Sequence, residues 1–249
     1  PISIADEVRD DAGGKLAGDR KLLSHCRGGD VCGLDAADQA IEQAACNAWR
    51  GTLDDAGKER FADGTGAAAA FHTPSAPALD GDGTLYVADT GNHAIRKVTP
   101  QGVVTTLAGD GVAGSVDGPA AQARFNGPLG VAVDGAGNVF VADTYNDRIR
   151  RIGRDGLVST LAGGERPGYQ DGAGVAALFD TPTAVAVDAV GNVWVADLRN
   201  HAIRKLAADG VVSTLLSVAP GDRNAALRRP LGLAVTRDGM LYVSTMECG

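Results

Sequence analysis

Residues 86–97 read YVADTGNHAIRK, and nearly the same words return as FVADTYNDRIRR at 140–151 and WVADLRNHAIRK at 194–205. The aspartates of the three VAD triplets, Asp89, Asp143 and Asp197, stand 54 residues apart. Phe71, Phe125 and Phe179 keep that interval, as do Pro74, Pro128 and Pro182, and the glycines Gly83, Gly137 and Gly191. A fourth copy opens at Pro230-Leu-Gly-Leu-Ala-Val and reaches LYVST (241–245), arriving 48 residues after its predecessor. WRGTL (49–53) reads as one strand of an earlier copy. A period held at several positions at once marks an array of one supersecondary unit.

Each copy holds four short apolar runs separated by turn signals. In the second they are LGVAVD (129–134), NVFVAD (138–143), RIRRI (148–152) and LVSTLAG (157–163). Runs this short, rich in β-branched residues, are strands rather than helices. GAG (135–137) and TYN (144–146) between them have hairpin length. One copy is therefore predicted to be a four-stranded antiparallel meander. Such a sheet cannot bury both faces alone, and stacking its neighbours radially as the blades of a β-propeller covers them.

The wording of the copies also resembles NHL repeats, whose blades read P-x-G-V-A-V-D-x-x-G-N-V-Y-V-A-D-x-x-N-H-x-I-R-K. Asn92-His93, Asn146-Asp147 and Asn200-His201 hold the first two signature positions, and Ile95, Ile149 and Ile203 follow two residues later. The resemblance covers roughly residues 48–245. It implies an all-β propeller, usually six-bladed. Three whole copies with partial ones supply too few strands for six blades, so residues 48–249 read as an incomplete propeller, a piece of such a ring.

The chain has 249 residues, 44% of them apolar and only 4% aromatic, with 35 glycines, which fits many tight turns and thin packing layers. No run of about 18 apolar residues is present to span a membrane. No charged-then-apolar leader opens the sequence. The Ala- and Gly-rich, Lys-poor composition suggests a GC-rich bacterial gene. A net charge of −8 disfavours the phosphate backbone of nucleic acid, whose binding rests on Lys and Arg.

Residues 1–47 lack the repeat. GLDAADQAIEQAACNAWR (33–50) has an acidic start and apolar residues at Ala37, Ile41, Ala44 and Ala45, so a short α-helical segment is expected before the propeller. Cys26, Cys32, Cys46 and Cys248 all lie outside the whole copies. Their spacing, with His25 nearby, matches no familiar zinc pattern. Disulfides are the favoured reading, with Cys26–Cys32 closing a Gly-rich loop or Cys46 and Cys248 meeting at the ring ends, and free thiols are the alternative. Disulfides would put the protein in an extracellular or periplasmic compartment. No cofactor is expected, zinc or calcium being the alternatives; DGDGT (80–84) starts like a calcium loop but lacks its closing Glu and reads as a hairpin turn.

Most repeated polar residues have a structural reading. Asp89/Asn92, Asp143/Asn146 and Asp197/Asn200 are expected to cap the turn between the second and third strands. The basic pairs Arg96-Lys97, Arg150-Arg151 and Arg204-Lys205 are expected to bridge acidic neighbours on the third strand. Asp63, Asp117 and Asp171 would cap a turn in the connections or, alternatively, form an axial ring. Positions that vary inside the constant frame are the better candidates for recognition. The residue after the repeated Phe is His72, Asn126 and Asp180, with Arg228 in the fourth copy. It lies near the channel mouth, as would the turn tips Tyr145 and Arg199 and, in a connection, Tyr169. No GxSxG, HExxH or P-loop motif appears. The sequence therefore points to a binding scaffold for a protein, a glycan or a polar small molecule. The alternative is a metal-assisted hydrolase, lactonase or lyase at the channel mouth.

Overall fold

A computed structural model describes residues 2–4, 61–218 and 227–246. The expected helix within 1–47, the strand at 49–53 and all four cysteines lie outside the described residues.

Blade one comprises β2 (Gly64–Thr65), β3 (Pro74–Leu79), β4 (Leu85–Asp89), β5 (Ala94–Val98) and β6 (Val103–Ala108). Blade two repeats it with β7 (Gly118–Pro119), β8 (Gly130–Val133), β9 (Val139–Asp143), β10 (Arg148–Ile152) and β11 (Leu157–Ala162). Blade three has β12 (Gly172–Ala173), β13 (Pro182–Val187), β14 (Val193–Asp197), β15 (Ala202–Leu206) and β16 (Val211–Ser217). The last sheet contains β17 (Pro230–Val235) and β18 (Leu241–Thr245), with β1 (Ile2–Ile4) parallel beside β18. In each whole blade the four long strands form the expected antiparallel meander. A fifth, two-residue strand from the preceding connection pairs outside the fourth, in the order β7-β11-β10-β9-β8 for blade two. The first long strands of successive blades, β3, β8, β13 and β17, pack side by side. The sheets are thus arrayed as propeller blades, with first strands innermost.

Strand alternation explains how the blades stack. On β9, Phe140 and Ala142 face blade three, where they join Phe179, Val185, Val195 and Leu206 in one core. Val139 and Val141 point the other way and pack with Tyr86, Ala88 and Ile95 of blade one. The repeated Phe71, Phe125 and Phe179 are almost wholly buried, and burying such a ring stabilises by about 2–3 kcal/mol. Close approach is needed at the inner strands: a Cβ on Gly130 would stand 2.8 Å from both Ala184 Cα and Thr183 O of the next blade.

The same bulge recurs in every whole blade beside the same arginine. Ile149 faces Ala162 while Arg150 faces Thr160, so Leu161 is the extra residue. Blades one and three repeat this at Arg96 opposite Thr106 and Arg204 opposite Thr214. A bulge re-aims a side chain, and here the arginines turn fully inward, each 0% exposed. Arg150 Nη1 donates to Asp143 Oδ2 at 2.8 Å and Nη2 to Asp117 Oδ1 at 2.6 Å. The guanidinium also donates to the carbonyls of Arg124 and Val116 and lies 5.2 Å from the Phe125 ring centroid. Arg96 joins Asp89 to Asp63, and Arg204 joins Asp197 to Asp171, in the same way.

Asp63, Asp117 and Asp171 therefore sit on the outer side of the blade rather than in a ring on the axis. Each lies next to the short fifth strand and also binds the threonine of the fourth strand, Thr106, Thr160 or Thr214.

A buried ion pair that loses one member leaves a charge without compensation, which costs about 3–5 kcal/mol. Replacing Arg150 by Met should lower unfolding stability by about that amount, because Asp143 stays buried. Adding Asp143→Asn should recover part of the loss. Urea unfolding curves test this; a loss under about 1 kcal/mol in the single variant would mean that water reaches Asp143.

Candidate functional site

The rim at the start of the inner strands is built from three consecutive residues in each blade. The first is the variable position: His72, Asn126 or Asp180, and Arg228 in the last blade. In the three whole blades its backbone is held identically. The amides of His72, Asn126 and Asp180 donate to Oδ1 of Asp89, Asp143 and Asp197, at 2.7, 2.7 and 2.8 Å. Their carbonyls accept from the amides of Gly91, Tyr145 and Arg199 at the turn tips. The side chain is therefore free to differ while its backbone is fixed.

These aspartates have a wider role than capping their own turn. Their other oxygen takes the Asn92, Asn146 or Asn200 amide and the arginine. Asn146 and Asn200 also reach the carbonyls of Gly114 and Gly168. Asp89 and Asp143 make no side-chain cap to the short 3₁₀ turn that follows each of them. Burial pushes all three carboxyls upward, Asp197 to about 6, against the donors that favour the charged form.

The second rim residue, Thr73, Gly127, Thr181 or Arg229, is left-handed, with φ between 46° and 59°. A β-branched residue there is strained, more so when it precedes a proline. The amides of Gly127, Thr181 and Arg229 donate across the blade boundary to His93 Nδ1, Asp147 Oδ1 and His201 Nδ1 at 3.0, 2.7 and 3.1 Å. This explains why His and Asp exchange at the second signature position: both place an acceptor there. Thr90 and Thr144 add hydroxyl bonds to the carbonyls of Pro128 and Pro182 in the next blade. The third rim residue is the repeated proline, which starts the inner strand except in blade two, where Pro128 stands two residues before β8.

On this clamped frame each blade carries a different pair. In blade one the His72 ring lies against Gly91, where a Cβ would be 2.2 Å from Nδ1. In blade two Asn126 adjoins Tyr145, whose ring lies over Gly127 and is 64% exposed. In blade three Asp180 and Arg199 are 3.9 Å apart, with side chains 29% and 69% exposed. Asp147 sits beside Asp180, and burial and that neighbour raise its pKa while the Thr181 amide and Arg199 oppose the rise. Arg228 follows next to His201, whose pKa burial and the adjoining Arg228 and Arg229 lower. Six of the seven residues expected at the mouth thus belong to the rim segments or the turn tips beside them. Tyr169 does not: its ring lies 4.9 Å from the Arg204 guanidinium, which it sandwiches with Phe179. Phe61 does the same for Arg96, whereas blade two has Ser115 at that place. Sequence reasoning missed the strained residues before each proline; the repeated Pro was the available signal.

Among the described residues, no three His, Cys, Asp or Glu side chains come together to hold a metal ion, and no helix is long and apolar enough to cross a membrane. DGDGT forms the hairpin turn, with Asp80 Oδ1 accepting from the amides of Asp82 and Thr84.

The NHL repeat family model matches residues 125–152 and 179–206, each running from the repeated Phe to the end of the third strand. SUPPRESSOR OF QUENCHING 1, a chloroplastic protein of Arabidopsis thaliana, is 40% identical over 104 residues, covering 40% of this chain and 10% of its own. NHL repeat-containing protein 2 of Gallus gallus is 39% identical over 80 residues, covering 32% of this chain and 11% of its own. The matches thus span about a tenth of those relatives' length. A solved protein of unknown function from Bacteroides thetaiotaomicron is similar in fold, with a TM-score of 0.53 at 24% identity over 68% of this chain and 44% of that one.

The lowered pKa of His201 carries a sign. The folded protein binds fewer protons at this imidazole than the unfolded chain, so its contribution to stability is present above the ordinary histidine range and is lost as pH falls through the folded value. Protonation would also remove the acceptor that holds the Arg229 amide. The His201 part of the stability should therefore drop as pH falls below about 6.5, against the gain that Asp197, its carboxyl held up at about 6, brings over the same range. His201→Asp, which copies Asp147, should remove that drop; an identical pH profile in the variant would clear His201 of the effect.

Proposed function

From the premise that this chain belongs to the NHL-repeat β-propeller family, we propose that it is a binding scaffold whose rim engages a protein, a glycan or a polar small molecule. One observation carries this reading: four different polar side chains occupy one address whose backbone is held the same way in each whole blade. The repeated charges are consumed inside the blades, in the Asp–Arg–Asp chains, and leave the varied residues as the chemistry on offer. The left-handed residues before Pro128, Pro182 and Pro230 are each held by a bond from the preceding blade, so this part of the rim is fixed before a partner arrives, and rigidity reduces the entropy lost on binding. The acidic balance of the whole chain directs this surface away from nucleic acid. An extracellular or periplasmic location is part of the same proposal.

Alanine at Asn126, Tyr145, Asp180 and Arg199 together should leave the unfolding midpoint within about 0.5 kcal/mol per site, because these side chains reach into solvent. The same variant should lose the partner that the unaltered protein retains in a pull-down from its native source. Equal retention would remove the rim from consideration, and a large stability loss would make these residues framework.

A further inference from the structure

At the opposite end of the blades from the rim, a cleft of about 520 Å³ opens between blades one and two. Its counterpart between blades two and three holds only about 170 Å³. The two are built from equivalent positions, so the repeat supplies its own control. Lys97, Leu107, Val139 and Ile152 in the first become Arg151, Leu161, Val193 and Leu206 in the second. The groups that change are polar ones: Tyr86 becomes Phe140, Arg154 becomes Ala208, and Asp82 has Ala136 at its place in the next blade. The larger cleft alone reaches the volume usual for small-molecule sites.

We propose that this cleft is a binding site for a neutral saccharide of one or two rings. The argument rests on which groups are already occupied. Asp80 is held by the Asp82 and Thr84 amides and accepts from the Tyr86 hydroxyl at 3.1 Å. Asp134 is held by the Ala136 and Asn138 amides and the Asn138 side chain. Three polar groups remain for a ligand. The Asp82 carboxylate accepts no hydrogen bond, and neither Lys97 nor Arg154 has a carboxylate within ion-pair distance, among the described residues. Arg154 makes only a long contact, 3.4 Å, to the Ala136 carbonyl, with its stem against Gly137.

The free groups are thus one strong acceptor and two strong donors, set over a floor of Leu107, Val139 and Ile152. Hydroxyls both donate and accept, so neighbouring hydroxyls of a sugar ring can bridge the carboxylate and the cations while the C–H face meets the apolar floor. A cationic ligand would meet Lys97 and Arg154, and an anionic one would meet Asp80, Asp82 and Asp134. Neither charge sign is favoured by the whole set, which singles out a neutral, hydroxyl-rich ligand.

Amide chemical shifts can be followed while glucose, galactose, maltose and cellobiose are each added to about 20 mM, with sodium glucuronate and spermidine as charged probes. At least one neutral sugar should shift Asp82, Ala136, Gly137 and Gly156 but not Gly191 or Gly210 of the smaller cleft. Asp82→Ala and Arg154→Ala install the residue found at the equivalent place in another blade. Each should weaken that binding by about tenfold with the unfolding midpoint unchanged. Shifts with glucuronate or spermidine alone, shifts in both clefts alike, or none with any sugar would overturn the proposal. Alanine substitution at the rim leaves this readout untouched, so the two sites fail independently.

Discussion

The structure depends on one buried ion pair repeated three times, between the aspartate ending the second strand and the arginine in the middle of the third. Both members are fully buried, a placement that is expensive unless the polar atoms are well served, and in these three pairs only Nε of Arg96 and Arg204 goes without a partner among the described residues. The guanidinium reaches two carboxylates and two backbone carbonyls, and one aromatic ring or two lie against it. The aspartate divides its oxygens between this arginine, an asparagine and an amide of the rim. A single charge network thereby joins the outer edge of a blade, through its middle strands, to the segment that enters that blade's own innermost strand.

That connection explains why the copies can differ where they do. At the rim, the aspartate fixes the backbone of the variable residue without touching its side chain. A mutation there alters chemistry and leaves geometry alone. The second signature residue works across the boundary instead, accepting the amide of a left-handed residue in the following blade. Within-blade charge pairing and between-blade acceptor bonding thus converge on adjacent residues, and each restrains the backbone that the other leaves free.

The period, the strand number and the hairpin turns could be read directly, because they depend on spacing and on alternation of side chains. The inward arginines could not. Arg96-Lys97 and Arg150-Arg151 read as bridges to acidic neighbours, which holds for the first of each pair, but simple alternation does not say that it is wholly buried. Only the bulge, with Leu107, Leu161 or Leu215 as its extra residue, sets Thr opposite Arg and lets the second aspartate close on both. A bulge is a three-dimensional property of two strands and leaves little trace in either alone. Tyr169 was misplaced for the same reason: its role as a lid on Arg204 depends on that arginine pointing inward. The variable rim positions were legible because the repeat acts as an alignment of the chain with itself.

The same self-comparison separates framework from chemistry at the far end of the blades. Asp80, Asp134 and Asp188 perform one task, folding a hairpin by accepting amides two and four residues on. What surrounds them differs between the first two blades, with more hydrogen-bonding groups around the larger cleft. Tyr86 stands where the next blade has the Phe140 ring, Asp82 and Arg154 stand where the next blade has the methyl groups of Ala136 and Ala208, and Gly153 stands where Ala207 lines the smaller cleft. The sheet does not need these groups, since blade two has Phe140 and Ala136 at the places of Tyr86 and Asp82, and blade three has Ala208 at that of Arg154, with the same sheet order. Polar groups that the fold does not require, gathered around the larger of two equivalent clefts, are therefore best explained by what enters it.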